Sequence, residues 1–256
     1  MRRSWNAGFL RGVVQGVTEQ KMRVDIWSDI ACPWCYVGKA RFDKAVSQFA
    51  NGDQVEVRHR SFELDPGRAP NDIAPVVPMI AEKYGISVAQ AQANEYKLGD
   101  LASAEGLEYQ TEGRDHGSTF DLHRILHFAA EKGLEAEVWE AFYRANFAEE
   151  ASLYDCGRIV EVAVAAGLDK DEVTAVLEDP AAYREAVKAD EAEAAALGAN
   201  GVPFFVIDGK YGVSGAQPTE VFGEILDKAW GERKPAIITV AGTDDAEACG
   251  PDGCAI

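Results

Sequence analysis

The sequence contains no long apolar run and little positive charge. No stretch approaches the roughly 20 apolar residues that a helix needs to cross a bilayer. Its 25 Lys and Arg residues are outnumbered by 43 Asp and Glu residues, and the formal net charge is -18. Such a chain repels nucleic-acid phosphates and anionic lipid headgroups. We therefore expect neither nucleic acid nor membrane as a partner.

The N-terminal segment also lacks the features of an export signal. Arg2 and Arg3 open it, but polar residues and glycines interrupt any apolar stretch and no small-residue cleavage pattern follows. We expect residues 1–21 to be a disordered extension, residues 235–256 to be a mobile acidic tail, and the protein to be cytoplasmic.

Cysteine is scarce, with five in 256 residues. In a reducing compartment, structural disulfides are rare, so such cysteines favour catalytic, redox or metal-binding roles. Four of them form two close pairs, Cys32 with Cys35 and Cys249 with Cys254, and Cys156 stands alone. Cys156 is expected to be a buried or half-buried structural thiol at a helix start that Asp155 caps.

The hydrophobic pattern predicts strands at both ends of the chain and helices between them. Residues 23–27 and 54–62 alternate with the period of a strand, and a helix is expected to begin after Cys32. Near the other end, the apolar run 204–207 is followed by turn residues that predict a β-hairpin. A final helix is expected with Pro218 in its first position.

The long middle segment reads as helical. Amphipathic stretches separated by Gly and Asp follow a Pro-rich connection, and no strand is expected between residues 64 and 197. The predicted helices span residues 76–84, 88–106, 119–132, 134–148, 156–167, 171–177 and 181–197.

The Cys32–Cys35 spacing suits dithiol chemistry. Two cysteines three residues apart at a helix start can approach disulfide distance. The helix N-terminus favours thiolate at Cys32 and lowers its pKa, and Pro33 fits the first helical position. Cys32 is thus the expected nucleophile and Cys35 the resolving thiol. The spacing alone leaves open a metal site and two buried core residues as alternatives.

The second cysteine pair has its own turn signature. Pro251 and Gly253 between Cys249 and Cys254 favour a type I turn that brings the two sulfurs together. One hypothesis is an accessory redox pair that exchanges electrons with the first pair. The alternatives are a passive tail and a zinc site formed by the four paired cysteines.

Four segments together resemble a known family. Residues 24–29, 32–39, 201–205 and 214–217 read VDIWSD, CPWCYVGK, GVPFF and SGAQ. They resemble the DsbA-like thioredoxin-fold oxidoreductases, in particular the FrnE-like cytosolic branch, and the resemblance spans residues 22–232.

The resemblance implies an α/β thioredoxin fold, a central mixed sheet flanked by helices. Residues 22–63 and 198–234 would form the thioredoxin-like domain, and 64–197 an all-α insertion between the strand-helix-strand unit and the C-terminal β-hairpin and helix. It also implies a cis Val202–Pro203 bond facing the cysteines, where the backbone pairs with an extended client segment. Trp34 would contribute to client binding.

The implied activity is protein thiol-disulfide oxidation or isomerisation. Partners would be client proteins with thiols or disulfides and a small-thiol or thioredoxin-type reductant. No resident cofactor or metal is expected, although glutathione could serve as redox partner. The fold is shared with 2-hydroxychromene-2-carboxylate isomerases, which typically carry Ser where this chain keeps two cysteines. A glutathione-dependent small-molecule enzyme and a holdase-type binding protein are the alternatives.

Four further side chains are candidates for the site. Asp25 or Asp29 could accept a proton from Cys35, and Asp25 is the better candidate if its side chain lies beneath Cys35. His123 and His127 lie on one helical face, at a spacing that can bind metal. No matching ligand shares their helix. His123 is therefore expected to be structural or to line the client groove.

Overall fold

A computed structural model describes residues 21–233. The predicted N-terminal extension up to residue 20, the acidic tail and the Cys249–Cys254 pair lie outside the described residues. The elements in chain order are β1 (Met22–Ser28), α1 (Pro33–Gln48), β2 (Val55–Ser61), β3 (Ala74–Pro75), α2 (Val76–Tyr84), α3 (Val88–Ala104), β4 (Asp115–His116), α4 (Phe120–Lys132), α5 (Glu135–Phe147), α6 (Cys156–Ala165), α7 (Lys170–Glu178), α8 (Arg184–Ala196), β5 (Phe204–Ile207), β6 (Tyr211–Ser214) and α9 (Thr219–Gly231).

The central sheet has four strands in the order β2-β1-β5-β6. β1 runs parallel to β2 and antiparallel to β5, and β5 and β6 form a hairpin. The turn residues Asp208 and Gly209 both have positive φ, 53° and 65°, as a tight hairpin turn requires. This arrangement confirms the predicted thioredoxin fold with a mixed sheet.

Helices cover both faces of the sheet, so β1 is buried on both of its faces. Val24 and Ile26 pack with Phe42 of α1 and Phe222 of α9. Trp27, on the opposite face, packs near α8, and its indole N–H donates to the carbonyl of Asp190 at 2.8 Å. A strand covered on both sides must be largely apolar, and β1 departs from this only at Arg23, Asp25 and the terminal Ser28.

The segment between β2 and β5 is helical from α2 to α8, and most helix boundaries lie within two residues of the predicted ones. The expectation of no strand there was wrong, because Ala74–Pro75 and Asp115–His116 form a short antiparallel pair. Two residues a side are too few to produce a visible alternation. The start of the last helix was also predicted one position too early, because Pro218 is the N-cap of α9 and not its first residue.

The helical segment has its own hydrophobic core, and that core reaches the cysteines. Trp139, Phe142 and Phe147 of α5 belong to the same buried cluster as Cys32 and Cys35. None of the helices within residues 21–233 is long and apolar enough to span a membrane.

Candidate redox site

The site begins where β1 gives way to α1. Cys32 is the N-cap of α1 with extended backbone angles, and Pro33 occupies the first turn, where a missing N–H costs nothing. The carbonyl of Cys32 accepts hydrogen bonds from the N–H groups of Cys35 and Tyr36 at 3.0 and 3.2 Å. The first turn of the helix therefore holds both cysteines on one side.

Cys32 faces the loop before β5. Its Sγ lies 3.7 Å from the carbonyl oxygen of Val202, to which the thiol donates. The Val202–Pro203 peptide bond is cis, the form that the resemblance implies. Val202, one of the predicted client-binding residues, thus contacts the predicted nucleophile.

A glycine in α1 makes this approach close. A Cβ at Gly38 would lie 3.0 Å from Cγ of Pro203 and 3.3 Å from Ala216. Gly38 was not singled out from the sequence. The signal was present, because an isolated glycine inside a helix often marks a close contact.

The two cysteines are unequal in their surroundings. Both are free thiols and buried, but Cys35 is completely enclosed whereas Cys32 also lines an open cavity. Burial raises the pKa of Cys35 well above its usual value, and the neighbouring Cys32 raises it further. The backbone N–H of Asp29 acts in the opposite direction. Cys35 is therefore a thiol at neutral pH.

Asp29 lies behind the cysteines. One carboxylate oxygen accepts from the N–H of Ala31 at 3.2 Å, and the other from the N–H of Leu64 at 2.7 Å. His123 Nε2 lies 3.5 Å from Oδ1. Burial alone would raise the pKa of Asp29, but His123 and the two N–H groups outweigh it and lower the pKa. We call Cys32, Cys35, Asp29 and His123 the sulfur cluster.

Asp25 does not belong to this cluster, so its predicted place beneath Cys35 is corrected. Its carboxylate pairs with Arg23 at 2.7 Å and Arg60 at 3.0 Å. Arg60 also pairs with Asp190 of α8 at 3.0 Å. The reason is strand alternation, since Asp25 shares the face of Trp27 and α1 covers the opposite face.

Of the two predicted places for His123, the buried structural one is observed and the groove is not. The imidazole is completely buried and packs edge-on against Trp139. His127 lies outside the sulfur cluster. Its Nε2 is 3.2 Å from a carboxylate oxygen of Asp190 and 3.2 Å from the hydroxyl of Ser61. We call Asp25, Arg60, His127 and Asp190 the arginine cluster.

A cavity of about 600 Å³ opens beside Cys32. Trp34, which is 45% exposed, forms part of its wall, in keeping with its predicted role. Most of the remaining wall comes from apolar side chains of α2 and α3 and of the loop after β2. These are Leu64, Val76, Met79, Ile80, Leu98 and Leu101.

Several polar groups at this wall are paired. Glu95 forms an ion pair with Arg114, and the Tyr109 hydroxyl donates to Glu95 at 2.9 Å. Asn146 donates to the carbonyl of Ile30 at 3.0 Å and accepts from Tyr154. These residues were missed, because sequence spacing does not show that α3, α5 and the end of β1 converge.

Cys156 lies outside this site. Cys156 starts α6, and Asp155 caps that helix as predicted, but the thiol is exposed rather than buried. The first residue of a helix points away from the core unless another element covers it. Among residues 21–233, no three His, Cys, Asp or Glu side chains are grouped to hold a metal ion.

Comparison with known proteins places the fold in a family. The family model of the DSBA-like thioredoxin domain matches residues 23–227. The chain belongs to this family. The match covers the thioredoxin-like elements and the helical segment between them, so the DSBA-like domain includes both cores.

Individual relatives agree with this assignment. The crystal structure of the probable DsbA oxidoreductase SCO1869 from Streptomyces coelicolor is 64% identical, with a TM-score of 0.82 over 92% of this chain and 99% of that one. The uncharacterized protein YwbO of Bacillus subtilis is 28% identical over 80% of this chain and 96% of its own. The cytosolic disulfide reductase DsbM from Pseudomonas aeruginosa with GSH shares the fold at 17% identity, with a TM-score of 0.56 over 82% and 99% of the two chains.

Proposed function

We propose that this protein exchanges thiols and disulfides with client proteins, with Cys32 as nucleophile and Cys35 as resolving thiol. The observation that carries the proposal is the pair of free cysteines at the N-terminus of α1, with Cys32 facing both Val202 and a cavity. Membership in the DSBA-like family and the 64% identity to a probable DsbA oxidoreductase support it.

The exchange runs in two steps. The Cys32 thiolate attacks one sulfur of a client disulfide, the Cys32–client bond forms, and the other client sulfur leaves as a thiolate that takes a proton. Cys35 then loses its proton and attacks Cys32 Sγ, which forms the Cys32–Cys35 disulfide and releases the first client sulfur with its electron pair. The client gains two electrons and the cysteine pair loses two. Run in reverse, the same steps oxidise a client dithiol.

The cavity supports a protein client. The client backbone would lie along the loop at Val202 and Pro203, and side chains next to the reacting cysteine would enter the apolar cavity beside Trp34. Burial of one large apolar side chain there would stabilise the encounter by about 1.5 to 3 kcal/mol.

The partner that restores the cysteine pair remains part of the proposal. A small thiol such as glutathione, or a thioredoxin-type reductant, would reduce the Cys32–Cys35 disulfide in a reducing cytoplasm. Cys249 and Cys254 could do so within the same chain, as an accessory pair. A double Cys249→Ser/Cys254→Ser variant tests this, because loss of the accessory pair would slow turnover but leave the first exchange with a client unchanged.

The decisive experiment compares three serine variants of the full chain. We expect Cys32→Ser to abolish insulin reduction and scrambled-ribonuclease refolding, and Cys35→Ser to accumulate a Cys32–client mixed disulfide that a non-reducing gel resolves. The matched control is Cys156→Ser, which removes an exposed thiol outside the site. Full activity of Cys32→Ser in both assays would reject the proposal and favour the holdase alternative.

A further inference from the structure

The sulfur cluster contains a buried imidazole with no ordinary partner. His123 is completely buried, and Asp29 is 1% exposed. The 3.5 Å between Nε2 and Asp29 Oδ1 is longer than a normal hydrogen bond, and neither ring nitrogen has another hydrogen-bond partner among residues 21–233. Buried polar atoms are nearly always satisfied, so an exception of this kind calls for a functional reason.

Asp29 connects this imidazole to the resolving thiol. Its carbonyl accepts from the N–H of Cys32 at 3.1 Å, and its backbone N–H faces the sulfur of Cys35. Its carboxylate approaches His123 of α4. The residue thus touches the redox helix and the helical segment at the same time.

We propose that Asp29 and His123 form a carboxylate–imidazole pair that holds the proton released by Cys35 when the Cys32–Cys35 disulfide forms. This inference rests on the proposed thiol-disulfide exchange. The S–H bond of Cys35 breaks, its electron pair forms the bond to Cys32, and the proton passes to the pair, where it rests on the imidazole. When the disulfide is reduced, the proton returns to Cys35, so the pair is unchanged over a full cycle.

The charges explain why this pair suits the task. With a neutral imidazole, the buried carboxylate is a net negative charge held by two N–H groups. A proton on the imidazole makes the pair neutral overall, which lowers the cost of burial. No Lys or Arg side chain between residues 21 and 233 forms an ion pair with Asp29 that would already neutralise it. Burial and the neighbouring Cys32 raise the pKa of Cys35, so an acceptor close by matters.

Several other titratable groups face the pair. Those that face Asp29 are Cys35 of α1, His116 of β4, Tyr143 of α5, and Tyr154 in the loop before α6. Glu63 faces His123. Burial raises the pKa of both tyrosines, so they stay protonated at neutral pH. Glu63 is held by Lys188 at 2.9 Å. Burial lowers the pKa of His116.

The same helix provides a matched control. His127 follows His123 by one turn and also approaches an aspartate, Asp190, at 3.2 Å. That aspartate is paired with Arg60 and belongs to the arginine cluster. His127→Gln therefore removes the same chemical group from the same helix without touching the sulfur cluster.

Ellman's reagent separates the two thiol steps in a full chain that carries Ser at positions 156, 249 and 254. Release of the first thionitrobenzoate reports attack by Cys32, and release of the second reports attack by Cys35. Between about pH 5.5 and 8.5, we expect His123→Gln to slow the second release by about 10²-fold and leave the first unchanged, as for loss of a general base. His127→Gln should alter neither. Equal rates of the second release in the His123→Gln and His127→Gln proteins would overturn the inference. If the protein with both histidines intact fails to give even the first release, the proposed function itself is rejected.

A measurement on the unsubstituted histidines does not depend on how a variant folds. The chain has four histidines, so their imidazole nitrogens can be resolved by NMR and assigned by single substitutions. We expect the His123 nitrogens to shift towards the protonated form when Cys32 and Cys35 are oxidised, and those of His127 to stay in place. Identical His123 spectra in the two redox states would contradict the inference.

Discussion

The sulfur cluster and the arginine cluster both contain buried aspartate, but the basic group beside it differs. Both contain buried aspartates and a histidine from α4. In the arginine cluster, Arg60 bridges Asp25 and Asp190 at 3.0 Å each. In the sulfur cluster, the group that approaches Asp29 is an imidazole.

This difference separates a structural role from a chemical one. A guanidinium stays charged at every accessible pH, so it keeps its carboxylates ionised and ties β1, β2 and α8 together. An imidazole gains and loses a proton near neutral pH. A fixed ion pair therefore suits the support of a sheet, and a carboxylate–imidazole pair suits a site where a proton must come and go.

The largest expected contrast concerns the two sulfurs. In reduced protein at about pH 8, iodoacetamide should alkylate Cys32 and leave Cys35 unmodified, because burial raises the Cys35 pKa and excludes the reagent. Peptide mass spectrometry measures both sites in one sample. The exposed Cys156 is the internal standard for an accessible thiol. Labelling of Cys35 as fast as Cys156 would show that the sulfur cluster is open to solvent.

The next contrast is in stability. Asp190→Ala removes one of the two carboxylates paired with Arg60 and the carboxylate beside His127. It should lower the free energy of unfolding by about 2 to 3 kcal/mol, less than for a fully enclosed pair because Arg60 is partly exposed and keeps Asp25. The rate of thiol exchange should not change. Urea unfolding measures the free energy of unfolding. Glu193→Ala, at an exposed position nearby on α8, serves as control. Loss of exchange in a folded Asp190→Ala protein would mean that the two clusters are coupled.

A smaller effect depends on pH at the edge of the arginine cluster. Burial raises the pKa of Glu135 to about 7 from an ordinary 4.5. Between these values the unfolded chain is ionised there and the folded one is neutral, so stability falls as pH rises through this window and is level above it. Glu135→Gln removes the fall. At about pH 8, the free energy of unfolding of the Glu135→Gln protein should exceed that of the unsubstituted protein by about 2 kcal/mol. This figure is discounted because Glu135 is partly exposed.

The control for this pH effect lies on the same helix turn. Glu137 is exposed, so Glu137→Gln should leave the pH dependence of unfolding unchanged. At about pH 4, the Glu135→Gln protein and the unsubstituted protein should be equally stable, since both folded and unfolded carboxyls are then mostly protonated. A stability gain that persists at acid pH would point to packing rather than to the charge.

The smallest expected effect is at the contact between α1 and the Pro203 loop. Gly38→Ala places a methyl group 3.0 Å from Pro203 and should cost about 1 kcal/mol, because overpacking exceeds the gain in helix propensity. Exchange activity should fall several-fold as the loop moves away from Cys32. In the control, Gly223→Ala of α9, the added Cβ meets nothing within 4 Å, and stability should rise. A Gly38→Ala protein with full activity would show that the loop position is not critical.

Much of the fold could be read from the sequence because its signals are local. Helix α2 was predicted to the residue, and so was strand β5, since apolar periodicity, turn residues and Gly or Pro stops are properties of short segments. The strand-to-helix junction at Cys32 and Pro33 was predicted for the same reason. The mixed sheet and the position of Pro203 came only from the family resemblance, and the strand order was not predicted.

What the sequence by itself determined is therefore the set of elements and the reactive pair within one helical turn. Only the tertiary structure decided that Asp29, and not Asp25, stands behind the sulfurs, that His123 is buried against it, and that Gly38 admits Pro203. The physical reason is sequence distance. Asp29 and His123 are separated by 94 positions, and such a contact depends on how α4 packs on the end of β1, which no local pattern encodes.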